Sequence, residues 1–175
     1  MFEERRTLLR DFANKCREHL NSTGIPVAVG KHRLGLSPRS LSDLVEKHTV
    51  DFMIDYFGEK NVWFGDWDGY DAVIIAKGPI YVNVKIAEFG DKLEASWVFS
   101  ASTQQKVKDI LAGLYLIKFE YHKEGRDFLE VSSAKVAGPL SSVELICYAK
   151  GDPAPCKLRK DFNGTHCHLR NTYFE

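Results

Sequence analysis

Near the start of the chain, apolar residues recur at helical spacing, with Leu8 or Leu9, Phe12, Cys16 and Leu20 separated by Glu3, Arg6, Arg10, Lys15 and Arg17. That spacing gives an amphipathic helix over residues 2 to 20 with Cys16 on its apolar face. The pattern stops at Asn21, and the stretch to Arg39 reads as a loop. A second helix is predicted from Ser40, an N-cap with Asp43 three residues on. It runs through Leu41, Leu44, Val45, Phe52, Met53 and Tyr56 to Gly58, which ends it.

The period then changes from 3.6 to 2. After the aromatic stretch Val62-Trp63-Phe64-Gly65-Asp66-Trp67 and a turn at Asp68-Gly69, the run Tyr70 to Ala76 is apolar enough for a buried strand. Lys77-Gly78-Pro79 reverses the chain. The return strand, Ile80 to Ala87, alternates: Ile80, Val82, Val84 and Ile86 occupy one face, Tyr81, Asn83, Lys85 and Ala87 the other. A short strand is predicted within Leu93 to Ser100, and a short helix from Ser102 or Thr103 to Ile110. Leu114 to Tyr121 and Phe128 to Val136 form a second antiparallel pair across a turn at His122 to Arg126. Val143 to Tyr148 adds an edge strand, and the tail from Lys150 onward carries little pattern. These elements predict an α/β fold, a mixed β-sheet flanked by helices.

Composition adds bounds. The 175 residues are 44% hydrophobic and 27% charged, with 24 Lys and Arg against 24 Asp and Glu, as expected of a single globular domain over 1–175. No apolar run is long enough to span a membrane, and the opening Met1-Phe2-Glu3-Glu4-Arg5-Arg6 lacks the order of a signal peptide. With four unevenly spread cysteines, this predicts a cytoplasmic protein without a disulfide framework. Zero net charge argues against a protein that coats nucleic acid through a global field. Charge does cluster locally: no acid occurs between Glu18 and Asp43, where Lys31, Arg33 and Arg39 lie among glycines.

The chemistry-bearing segment is Asp68 to Glu88. Pairing Ala76 with Ile80 across a three-residue loop sets Val73 opposite Asn83 and Asp71 opposite Lys85, on one face. A slip of one residue would move Asp71 to the other face, and the apolar character of both faces of that strand does not exclude it. An acid and a lysine at the polar end of an apolar hairpin either pair with each other or serve a cation. In the second case Asp71 is a metal ligand, a backbone carbonyl near Val84 another, and Lys85 orients the attacking water.

Asp71, followed by Asn83-Val84-Lys85 after a tight turn and preceded by an acid-bearing helix, resembles the PD-(D/E)XK nuclease superfamily, whose largest membership is type II restriction endonucleases. The similarity extends over roughly residues 40 to 140, because the later strand pair ending in Gly138-Pro139-Leu140 looks like the one that completes a restriction-endonuclease-like sheet. The resemblance implies Mg²⁺-dependent, sequence-specific hydrolysis of phosphodiester bonds in double-stranded DNA, with Mn²⁺ able to substitute. Asp71 then takes the role of the motif's acid and metal ligand, Lys85 that of its lysine, and Glu46 that of the acid on the preceding helix.

Asn83 departs from the pattern, standing where the family usually has Asp or Glu. An amide oxygen is a neutral and weaker ligand for a hard cation. Three explanations compete: an acid supplied from elsewhere, such as Glu46, Glu88 or Asp68; a natural loss of activity; or an engineered substitution. The rival function is therefore an impaired or inactive DNA-binding relative of the fold. A third class is a small-molecule or zinc-binding protein whose hairpin matches by chance.

Contacts to DNA are expected from Lys31, His32, Arg33 and Arg39 and from Gln104, Gln105, Lys106 and Lys108, since Gln and Arg read base edges and Lys and Arg neutralise phosphates. Symmetric cutting of both strands implies a homodimer. The aromatic group Trp63, Phe64, Trp67 and Tyr70 offers a stacking platform for a splayed base, but packing against the second helix is the expected role. Cys147, Cys156, His166, Cys167 and His168 are ligand types zinc prefers, but adjacent His-Cys-His does not readily direct all three side chains to one ion.

Overall fold

The computed structural model describes residues 1–29, 34–67, 70–90, 96–99, 113–122, 127–139, 144–149, 152–155 and 165–170. Helix α1, Phe2–Thr23, buries Leu9, Phe12, Ala13, Cys16 and Leu20, the stripe predicted from spacing. Glu3 and Glu4 sit in its first turn, where carboxylates complement the helix dipole, and Gly24 ends it at φ 70°. The following segment is not wholly a loop: β1, Ala28–Val29, pairs with β2, Leu34–Gly35, in a two-stranded ribbon.

Helix α2, Pro38–Phe57, begins earlier than expected. The cap is Ser37 rather than Ser40: its Oγ accepts the Ser40 N–H at 3.1 Å, and Pro38 occupies the first turn, where a missing N–H costs nothing. Gly58, at φ 88°, ends the helix as predicted.

Five strands then build the main sheet. They are β3, Val62–Trp67; β4, Tyr70–Ile75; β5, Pro79–Glu88; and, after β6 at Ser96–Phe99, β7, Leu114–Tyr121, and β8, Val131–Ala137. The order is β3-β4-β5-β7-β8. All neighbours are antiparallel except β5 and β7, which run parallel from Tyr81↔Leu114 to Glu88↔Tyr121. A parallel pair needs a crossover connection, and residues 89–113 supply it. The helix predicted at Ser102 to Ile110 falls outside the described residues. The fold is thus α/β with a mixed sheet.

Both helices pack on one face of this sheet, α1 over β7 and β8 and α2 over β3, β4 and β5. Ala72, Ile74, Ile80, Val82, Val84, Ile117 and Phe119 meet Leu9, Phe12, Leu20, Val45 and Met53 there in one apolar core. Strand alternation sends Asp71, Asn83, Lys85, Lys118 and Glu120 to the opposite face. Among the described residues no helix is long and apolar enough to cross a membrane.

The C-terminal part corrects two expectations. The tail holds β10, Asp152–Pro155, and β11, Thr165–Arg170, and Glu144–Ala149 forms β9. These join β6 in a four-stranded antiparallel sheet, order β10-β9-β11-β6, so β9 is not an edge of the main sheet. Pro153 and Pro155 hid this: both sit in β10, at the sheet's edge, the place where a strand tolerates proline.

Candidate metal and phosphodiester site

The β4–β5 hairpin closes with Ile75↔Pro79, Ile74↔Ile80, Val73↔Tyr81 and Ala72↔Val82. The expected pairing of Ala76 with Ile80 is therefore corrected: the loop is Ala76-Lys77-Gly78, one residue earlier. The loop needs positive φ at two consecutive positions, found at Lys77 (51°) and Gly78 (105°). Pro79, locked at negative φ, instead opens the strand. Arg5 Nη2 donates to the Lys77 carbonyl at 3.2 Å, tying α1 to the loop.

The correction keeps every side chain on its expected face, since the register changes by two and the pleat repeats every two. It changes the neighbours. Asp71 now stands beside Asn83, not Lys85. Asp71 Oδ1 accepts Asn83 Nδ2 at 3.3 Å and Oδ2 accepts the Val84 N–H at 2.6 Å. No ion pair joins Asp71 to Lys85 among the described residues, so the cross-strand ion pair is not formed.

The Val84 contact has a backbone cause. The paired residues of β4 and β5 end at Ala72↔Val82, and the next edge position on β5 belongs to Val84. There the Asp71 carboxylate, rather than a main-chain carbonyl, receives the N–H. In an antiparallel strand a residue's N–H and C=O leave on the same side, so the Val84 carbonyl lies along this edge too. Tyr70, next to Asp71, packs against Tyr81 with ring centroids 4.9 Å apart and planes tilted by 55°.

Asn83 is 3% exposed, and its Oδ1 is buried without a hydrogen-bond partner. Leaving a buried acceptor unsatisfied costs about 1–3 kcal/mol. The amide thus offers its donor to Asp71 and keeps an acceptor for a cation or a donor. The donor set fits a hard, hydrated cation: Mg²⁺ is held by one or two carboxylates with substrate phosphates and water completing its shell, rather than by an all-protein cage. Among the described residues there is no group of three or more His, Cys, Asp or Glu that could hold a metal alone.

Lys85 is half-buried on the Asp71 face, one alternation beyond Asn83. Glu46 is half-buried on α2, beside core residue Val45 and against the opposite face of the sheet. No hydrogen bond among the described residues joins it to Asp71, Asn83 or Lys85. Glu88 shares the alternation of Val82 and Val84, so it does not belong to the face of Asp71 and Asn83. Asp68 lies outside the described residues, as do Lys31, His32, Arg33, Gln104, Gln105, Lys106 and Lys108. Arg39 is exposed in the first turn of α2.

The aromatic expectation fails for two residues. Trp63 and Phe64 are 60% and 61% exposed, whereas Val62 of the same strand is buried in the core. Alternation puts Trp63 on the face that α2 does not cover, whereas Phe64 returns to the face of Val62 and is exposed all the same. Cys16 is core as expected: burial pushes its thiol up to about 12. His166, Cys167 and His168 follow one another along β11, with Cys167 registered opposite Cys147, so the alternation of a strand separates the cysteine position from the two histidine positions.

Sequence reasoning missed one group on the polar face. Lys118 and Glu120 are 6% and 4% exposed in β7. Lys118 Nζ donates to Glu120 Oε1 at 2.7 Å, Lys135 Nζ lies 3.0 Å from Oε2, and Ser133 Oγ donates to Oε2 at 2.5 Å. Burial drives the Glu120 carboxyl upward, but the hydrogen bonds from Lys118, Ser133 and Lys135 outweigh it and hold it at about 2. Two charged residues at i and i+2 of a predicted strand were the available signal. No known family model and no curated protein sequence matches the chain.

Proposed function

We propose that this chain is a metal-dependent DNA endonuclease of the restriction endonuclease-like class, cleaving phosphodiester bonds in double-stranded DNA. The observation that carries the reading is the pairing of Asp71 with Asn83 on adjacent strands, the Asn83 Oδ1 buried without a partner and Lys85 following on the same face. The mixed sheet with α2 preceding β3 and β4 supports the resemblance carried by Asp71 and Asn83-Val84-Lys85.

Asp71 and the Asn83 amide oxygen would hold Mg²⁺ or Mn²⁺, with the Val84 carbonyl along the same edge. When bound, the cation supplies charge neutralisation for the phosphoryl oxygens. The Val84 N–H fixes the Asp71 carboxylate, so one rotamer faces the phosphate at no cost during reaction. Lys85 presents an ammonium group to the same phosphate and orients the attacking water. Two copies of the chain would act on the two strands, since a two-fold axis matches a palindromic site.

A second reading, a DNA-binding relative without activity, is favoured by Asn83 itself: a neutral amide replaces a carboxylate, and both Asp71 oxygens accept hydrogen bonds. Incubating the protein and its Asn83→Asp variant with phage or plasmid DNA, with Mg²⁺, Mn²⁺ or EDTA, separates the two. Discrete fragments that disappear in EDTA are expected. Absence of cleavage by both folded proteins, with DNA still bound, establishes the second reading.

A further inference from the structure

Three lysines form a row across the polar face. The parallel register places Lys85 beside Lys118, and the antiparallel register places Lys118 beside Lys135. With neighbouring strands about 4.8 Å apart, the row extends about 10 Å from the Asp71 end of the sheet toward its β8 edge. Glu120 is the counter-charge, and its two oxygens are shared among Lys118, Lys135 and Ser133. Lys85 makes no ion pair among the described residues.

Stability alone does not account for this row. Lys118 and Glu120 already form a nearly buried pair at 2.7 Å. Lys135 adds a second cation to the same carboxylate while keeping its side chain 40% exposed. Like charges directly opposite one another on a sheet are destabilising. Lys118 is too buried to meet a ligand, so an anion can relieve that repulsion at Lys135, the exposed end of the row.

We infer that Lys135, the exposed end of the Lys85–Lys118–Lys135 row, binds the DNA backbone, contacting a phosphate adjacent in the strand to the one held at Asp71 and Asn83. The inference rests on the nuclease reading and assigns that site a second phosphate position. Glu120 lies behind the contact and competes with a bound phosphate for the Lys135 ammonium group, while Lys118 is held on the other Glu120 oxygen. Lys135 makes the contact.

The test is duplex DNA binding by the full chain in Ca²⁺, measured across a series of NaCl concentrations. Each phosphate contact contributes about 0.9 to the slope of log K against log salt. Lys135→Gln keeps a donor for Glu120 but removes the charge, and is expected to flatten the slope by about 0.9 per protomer. Lys135→Arg should keep the wild-type slope, and so should Lys47→Gln, whose residue is exposed on α2 across the sheet. Glu120→Gln probes the row independently: without the counter-charge, affinity at low salt should rise several-fold. Wild-type slope in Lys135→Gln, or unchanged affinity in Glu120→Gln, overturns the inference while leaving the nuclease reading standing. A folded wild-type protein that binds no duplex overturns both.

Discussion

Asp71 and Asn83 face each other across adjacent strands with the amide nitrogen donating to the carboxylate at 3.3 Å, which leaves the amide oxygen buried and unpaired. The pair is asymmetric. Asp71 is oriented by two N–H groups, from Asn83 and Val84, whereas the Asn83 oxygen is held only through its own nitrogen. A carboxylate at position 83 would have no amide proton to give Asp71, and would repel it unless a cation lay between them.

Asp71→Ala is expected to abolish Mg²⁺-dependent cleavage while sparing or strengthening duplex binding in Ca²⁺. It also leaves the Val84 N–H without its acceptor, so a stability loss of about 1–3 kcal/mol should accompany it. Plasmid cleavage, a Ca²⁺ binding titration and urea denaturation report the three effects. Full activity in this variant would remove Asp71 from the site.

Asn83→Asp should raise Mg²⁺-dependent cleavage, because a second carboxylate is the stronger ligand. Two carboxylates side by side raise each other's proton affinity, so the variant should melt lower than wild type in EDTA and recover with Mg²⁺ or Mn²⁺. Melting curves with and without metal give this readout without reference to catalysis. Equal melting in EDTA and Mg²⁺ would show that no cation sits between positions 71 and 83.

Lys85→Ala should reduce turnover far more than DNA affinity, since Lys85 faces the reacting phosphate in this reading and makes no ion pair among the described residues that its loss would break. Single-turnover cleavage rates beside binding constants in Ca²⁺ make the comparison. Equal losses in both would recast Lys85 as a backbone contact.

Glu120 should make stability acid-sensitive. Its carboxyl is held at about 2 against an ordinary value of 4.5, so its contribution is complete above 4.5 and is lost as the pH falls through about 2. At neutral pH the favoured ionisation of this one carboxyl contributes about 3 kcal/mol to folding. Glu120→Gln should therefore lie well below wild type in urea stability at pH 7 and approach it near pH 2. A difference that stays constant across this range would mean that the titration of Glu120 is not linked to folding.

The face shared by Asp71, Asn83 and Lys85 was legible in the sequence because strand alternation survives any even change of register. The neighbour of Asp71 was not, because it depends on which loop residues adopt positive φ, and Lys77 is an unusual choice beside Gly78. The buried stripe of α1 and the stop at Gly58 could be read locally, whereas the α2 cap turned on whether Ser37 or Ser40 accepts the first free N–H. Trp63 and Phe64 looked like core by composition, and only the tertiary structure shows them exposed on the edge strand β3.

Period, caps and turn residues therefore determined the elements and the polar face of the hairpin, since these depend on residues within a few positions of one another. The parallel joining of β5 to β7, the four-stranded sheet of the tail and the meeting of Lys118, Glu120 and Lys135 were decided by tertiary structure. Each depends on strand registers between segments well separated in the chain, and alternation within one strand carries no information about which strand will lie beside it.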